Sequence, residues 1–324
     1  MLNEIVWCVV GLALLVVGAE LVVRSGTALA GRLGVSPLII GLTFVAIGTS
    51  APELAVGVDA AIRGNGALAV GNIAGTNVVN ILLILGLSAA IRPIKLRLQT
   101  LKLELPAIVL ASLLLLVLSL DGRLTRTDGA LLVLAGVVFT ALVVRVARHE
   151  SLRIRNEFNE EYGATTAGAP LGGTVRDLLV LCGGLATIVL GADILVDAAV
   201  TLARLWDVSD AFIGLTIVAI GTSAPELVTT VVSTMRNNRD IAIGNLIGSS
   251  VYNIVFILGL TCLIPSQGIP VGAKLVWVDI PVMTVVGLAC VPIFLSGHRI
   301  SRREGALFVA SYLVYLAYLI VDQT

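Results

Sequence analysis

The chain has 324 residues, 57% hydrophobic and 13% charged, and its 21 basic and 21 acidic side chains give zero formal charge. A soluble domain carries about 25% charged residues, so this composition excludes one. The balanced charge, with no basic stripe and no acidic tail, excludes a nucleic-acid partner.

The apolar residues fall into runs of about 18 to 25, long enough to cross a ~30 Å hydrocarbon layer. Ten spans are predicted, near 5–26, 37–62, 67–91, 103–120, 127–147, 174–203, 211–235, 241–264, 273–296 and 303–321. The first has no basic residue before it and no small-residue cleavage site, so it reads as a retained span. Residues 148–173 carry Arg153, Arg155, Glu157, Glu160 and Glu161 and end in Gly168 to Gly173, which reads as a flexible linker. Cys8, Cys182, Cys262 and Cys290 lie in or beside apolar runs without metal-ligand spacing.

Lys and Arg are unevenly shared between alternate loops. The set that follows the odd-numbered spans holds 16 of them, including Arg92, Arg97, Arg148, Arg236 and Arg303, and the opposite set holds Arg63, Arg123, Arg126, Arg204 and Lys274. The positive-inside rule then places the first set in the cytoplasm and both termini outside.

The segment from Gly41 to Leu54, GLTFVAIGTSAPEL, returns from Gly214 to Leu227 as GLTIVAIGTSAPEL. The 173-residue offset continues without a gap to Leu87 and Leu260, with 27 of the 47 aligned positions identical. This internal repeat divides the chain into residues 1–147, a linker at 148–173, and residues 174–324. Five spans per repeat is an odd number, so the second copy starts on the opposite side of the membrane. The expected fold is therefore an all-α polytopic membrane protein of ten transmembrane helices in two inverted five-helix repeats.

Glu53 and Glu226 occupy equivalent places deep in their runs, with no Lys or Arg nearby. A charge at mid-membrane costs about 2.5–3.5 kcal/mol on insertion scales, so the pair needs a partner or a wet cavity. Gly48 and Pro52, with Gly221 and Pro225, favour a helix break that frees carbonyls near Ala46 and Ala219. Thr49, Ser50, Thr222 and Ser223 add hydroxyls. In the following span Thr76 and Asn80, like Ser249 and Asn253, are four residues apart and share a helix face. The set is all oxygen, without His or Cys, and suits hard cations such as Ca²⁺ or Na⁺ rather than Zn²⁺ or Cu⁺. Glu20, Asp193 and Asp59 are also intramembrane or near it, and no site is assigned to them.

The doubled motifs, GTSAPE followed by GNIAGTNVVN at Gly71 to Asn80 and GNLIGSSVYN at Gly244 to Asn253, closely resemble those of the cation/calcium exchanger superfamily, in its prokaryotic sodium/calcium exchanger branch. The resemblance covers essentially the whole chain. It implies a Na⁺/Ca²⁺ antiporter of a prokaryotic plasma membrane, no cofactor, and Ca²⁺ and Na⁺ as substrates. It implies the ligands Glu53, Glu226, Thr49, Ser50, Thr222, Ser223, Thr76, Asn80, Ser249 and Asn253, with carbonyls from Ala46 and Ala219. Thr76 stands where many members have Ser, and Asn253 where many have Asp. The second departure leaves two carboxylates and argues against potassium co-transport. A proton-coupled exchanger on the same scaffold, and less readily a cation channel, are the alternatives. No nucleophile–base pair points to an enzyme.

Overall fold

A computed structural model describes residues 2–96, 100–162, 171–206 and 219–323, with side chains left aside for 147–162, 171, 172, 219, 322 and 323. The chain is helical in succession: α1 (Leu2–Leu33), α2 (Pro37–Thr49), α3 (Ala51–Ile62), α4 (Gly66–Ile91), α5 (Thr100–Leu118) and α6 (Arg126–Tyr162). The second half gives α7 (Leu171–Leu205), α8 (Ala219–Thr222), α9 (Ala224–Met235), α10 (Arg239–Leu263), α11 (Leu275–Leu295) and α12 (Arg302–Gln323).

Eight of the described helices are long and apolar enough to span a bilayer, and a ninth span is the pair α2–α3, bent by 42°. The predicted span at 211–235 is described only from Ala219 onward, so its first eight residues lie outside the described residues. One expectation is corrected. Residues 148–162, read as part of a flexible linker, continue α6 as helix to Tyr162. Of that predicted linker, 163–170 lie outside the described residues.

Burial separates the helices into two classes. In α4 and α10, 78% and 83% of the most apolar window is buried, against 17–39% in the other long spans. The two helices that follow the Glu-bearing segments are thus the most interior of the long spans. Both interior helices widen to a π turn at equivalent places, Val79–Leu85 and Asn253–Leu258. Such turns are frequent at functional sites, and others occur here at Gly41–Val45, Thr100–Glu104 and Leu275–Asp279.

Contacts across the molecule exchange its halves. Two short ribbons form: β1 (Ile94–Lys95) pairs antiparallel with β4 (Arg299–Ile300), and β2 (Arg123–Leu124) pairs antiparallel with β3 (Ile269–Pro270). An offset of about 175 residues carries β1 onto β3 and β2 onto β4, so one ribbon becomes the other, register included: Ile94 faces Ile300 and Leu124 faces Ile269. The outer pair α1 and α7 runs antiparallel with the same reciprocity. A Cβ on Gly11 would lie 2.8 Å from the Gly191 carbonyl oxygen, and one on Gly18 would lie 2.8 Å from that of Gly184. Only glycine allows backbones to approach so closely, the means by which helices without a hydrophobic driving force associate in lipid.

Candidate cation-binding site

The bend between α2 and α3 sits at Ser50, whose backbone (φ −83°, ψ 9°) leaves the helical region, and Ser223 before α9 does the same (φ −90°, ψ 7°). Its cause is local. Pro52 and Pro225 are second in the helices they open, where a missing N–H is tolerated, yet they deny a donor to the carbonyls of Gly48 and Gly221 four residues back. The predicted break is therefore present, but the Ala46 carbonyl is not bare. It accepts the Ser50 N–H at 3.2 Å and stands 3.3 Å from both the Thr49 and the Ser249 hydroxyls. Its role is to gather two hydroxyls from different halves of the chain. Ala219 opens α8, and its side chain lies outside the described set.

Glu53 and Glu226 fall in the first turns of α3 and α9 and are both completely buried. They are close enough for their charges to act on one another. The helix N-termini beneath them favour negative charge. Around them the two repeats interlock: the Ser50 hydroxyl donates to Glu226 Oε1 at 3.4 Å, and the Thr49 hydroxyl donates to Asn245 Oδ1 at 3.0 Å and lies 3.3 Å from the Ser249 hydroxyl. The structure thus brings together Ala46, Thr49, Ser50, Glu226 and Ser249 by direct contact, and Glu53 by charge.

Thr76, Asn80, Ser223 and Asn253 are buried as expected, while Thr222 is half-buried. The π turn carrying Asn80 packs against α9 and α10, and the one carrying Asn253 packs against α3. Thr76 and Asn80 are separated by the onset of that π turn, so their four-residue spacing no longer sets them one above the other. Both carboxylate oxygens of Glu53, Oε2 of Glu226, the Ser223 hydroxyl and both amide heavy atoms of Asn80 and Asn253 make no hydrogen bond to the described protein. Buried polar groups are nearly always paired, and a buried carboxylate without a partner costs several kcal/mol. Oxygens of two carboxylates, amides and hydroxyls fit a hard cation at this centre, and no cluster of three His, Cys, Asp or Glu occurs among the described residues.

Asn245 was not among the predicted ligands. It receives the Thr49 hydroxyl and passes its own Nδ2 to Thr230 Oγ1 at 3.2 Å. Asn245 and its repeat mate Asn72 are identical within the doubled motif, and that identity is the signal in the sequence. Glu20, left unassigned, makes an ion pair with Arg24 at 2.5 Å and reaches across to Arg236 at 2.9 Å. Asp59 pairs with Arg63 one turn on, at the end of α3.

Comparison with known proteins agrees with this geometry. The profile of the sodium/calcium exchanger protein family matches twice, over residues 3–145 and 177–321. A putative antiporter, CaxA of Alkalimonas amylolytica, is 37% identical over 97% of this chain and 98% of its own length. The sodium/calcium exchanger MaX1 of Methanosarcina acetivorans is 32% identical over 95% of this chain and 96% of its own length. Among solved structures, the sodium-calcium exchanger NCX_Mj soaked with Na⁺ and Ca²⁺ superposes with a TM-score of 0.82 at 29% identity, covering 98% of both chains. With the duplicated profile lying over the two halves, each of which holds one of the buried glutamates, this chain belongs to the sodium/calcium exchanger family, in its prokaryotic branch, and is an integral membrane cation/Ca²⁺ antiporter.

Proposed function

We propose that this antiporter exchanges Na⁺ for Ca²⁺ by alternating access around the centre that Glu53 and Glu226 share. The observation that carries the proposal is the pair itself: two fully buried carboxylates, one from each repeat, among neutral oxygen donors. Two negative charges balance one Ca²⁺, and the same oxygens accept Na⁺ in its place. An empty centre leaves two buried anions facing each other, which makes an unloaded crossing costly and couples the two ions. The ligand set is Ala46, Thr49, Ser50, Glu53, Thr76, Asn80, Ala219, Thr222, Ser223, Glu226, Ser249 and Asn253, and to it we add Asn245. The ions are substrates, and the reading calls for no cofactor, enzyme chemistry or protein partner. The names sodium/calcium exchanger carried by MaX1 and NCX_Mj support sodium as the counter-ion.

The reading includes ten spans in two inverted repeats in a prokaryotic plasma membrane, with both termini outside. The exchange of one ribbon for the other under the repeat offset supports it, as does the antiparallel α1–α7 pair. An inequality between the repeats supports alternating access: α1 lies along α9, whereas its equivalent, α7, has no comparable contact with α3.

The test is ⁴⁵Ca²⁺ uptake into proteoliposomes under an outward Na⁺ gradient, compared with a pH gradient in sodium-free medium. Uptake that requires Na⁺ is expected. Equal uptake driven by protons alone would overturn sodium coupling.

A further inference from the structure

Helix α9 has two faces. Leu227, Val228, Val231 and Val232 line an apolar groove beside α1. The other face carries Glu226, Thr229, Thr230, Ser233 and Thr234, at helical offsets of 3, 4, 7 and 8 from the glutamate. Every one of these side chains is buried, none more than 1% exposed. From Glu226 to Thr234 the row climbs about 12 Å at 1.5 Å per residue, ending two residues short of the exposed Arg236.

Several buried hydroxyls elsewhere in the spans are satisfied by their own helix, whereas those of Ser88 and Thr100 stand singly without a partner. Ser112, Ser250, Thr261 and Thr284 each donate to the carbonyl four residues earlier, at 2.7–3.0 Å. The row on α9 behaves differently. Thr229, Ser233 and Thr234 make no hydrogen bond to the described protein, and Thr230 accepts only from Asn245. Asn245 in turn holds Thr49, so a continuous polar path leads from the carboxylate centre to the row. An unmade bond to a buried hydroxyl costs about 1–3 kcal/mol, and three such groups beside Thr230 on one helix face call for a mobile polar partner. The first repeat lacks the feature: the positions 173 residues earlier are Val56, Gly57, Ala60 and Ala61.

We propose that Thr229, Thr230, Ser233 and Thr234 form a hydrophilic track along which a partly hydrated cation passes between the Glu53–Glu226 centre and the Arg236 end of α9. The row replaces hydration oxygens one at a time. It carries no charge, so it offers passage without holding a divalent ion as the carboxylates do. Where α9 ends, Arg236 is paired with Glu20, which offsets the positive charge a cation meets near that end. The two routes to the centre then differ in chemistry, a polar row on α9 and an apolar helix face on α3. The inference rests on the exchange reading above, and its test separates the two.

In the full-length protein, Thr229→Val and Thr234→Val, singly and together, keep side-chain shape and remove the hydroxyls, and Thr229→Ser and Thr234→Ser keep the oxygens. Three quantities are measured: equilibrium Ca²⁺ binding in detergent, exchange turnover in proteoliposomes and melting temperature. For the double Val variant the expectation is unchanged Ca²⁺ affinity, turnover down about tenfold, and a higher melting temperature because unsatisfied buried hydroxyls are gone. The Ser variants should retain turnover. Wild-type turnover in the double Val variant would overturn the track. So would a fall in turnover accompanied by a lower melting temperature and no recovery with Ser, which marks the hydroxyls as structural. Absence of exchange in the wild-type protein while it still binds Ca²⁺ would instead overturn the antiport reading.

Discussion

Glu20 of α1 reaches Arg236 at the end of α9 at 2.9 Å, while the residues 173 positions away in each case, Asp193 and Arg63, do not meet: Arg63 is held by Asp59 on its own helix. One diagonal of the repeat is fastened and its equivalent is open. The pair is partly exposed, and such ion pairs are worth about 0–1 kcal/mol. Glu20→Gln should therefore leave the protein folded and shift the balance between its two access states by no more than about fivefold. Cysteine accessibility near Arg236, rising in Glu20→Gln and unchanged in Asp193→Asn, is the measurement. Equal effects from both changes would remove the asymmetry.

Removing either central charge should be far more damaging. Glu53→Gln and Glu226→Gln each preserve shape but leave one carboxylate facing a divalent ion. Breaking a buried charge cluster by one partner costs about 3–5 kcal/mol, two to four orders of magnitude in Ca²⁺ affinity. Calcium binding and ⁴⁵Ca²⁺ flux should be nearly abolished in both. Normal transport by one of the two variants would mean that the repeats do not share a centre.

Asn245→Ala tests the bridge between the halves. The change leaves the Thr230 hydroxyl without its partner, at about 1–3 kcal/mol, and takes from Thr49 the shortest of its three contacts. The expected result is a ten- to hundredfold loss of Ca²⁺ affinity, with the loss in Asn72→Ala, at the equivalent position, measured beside it. Full affinity in Asn245→Ala would make the bridge incidental.

Orientation is tested by labelling. A cysteine replacing Gly163 should be shielded from impermeant reagents in intact cells, while one replacing Gln323 should react. Labelling of the first from outside would reverse the assignment made from Lys and Arg.

Much of this was legible because the repeat is chemical as well as topological. Glu53 and Glu226 stand out in the sequence since a carboxylate without a counter-charge is conspicuous in an apolar run, and the proline before each marks the break. Ser50 as the point of the bend was not legible: Pro52 says which carbonyl loses its donor, but not which residue leaves the helical region. The π turns at Val79 and Asn253 also escape pattern reading, because their apolar residues are of the kinds found in any α-helix, and both turns pack against helices far away in sequence. The extension of α6 to Tyr162 is hidden by polarity, which signals contact with solvent and does not distinguish helix from loop.

The reciprocal ribbons bear on how such a chain is made. Each ribbon takes one strand from either half, so a chain emerging in order must hold β1 in reserve until β4 at Arg299 has been synthesised. The same delay applies to Gly86 of α4, whose close neighbour is Gly305 of α12. The first half therefore waits in the bilayer with its pairing edges and glycine surfaces uncovered. Quality control that recognises such surfaces would act on it, and two halves expressed as separate polypeptides should each be short-lived alone and persist when made together.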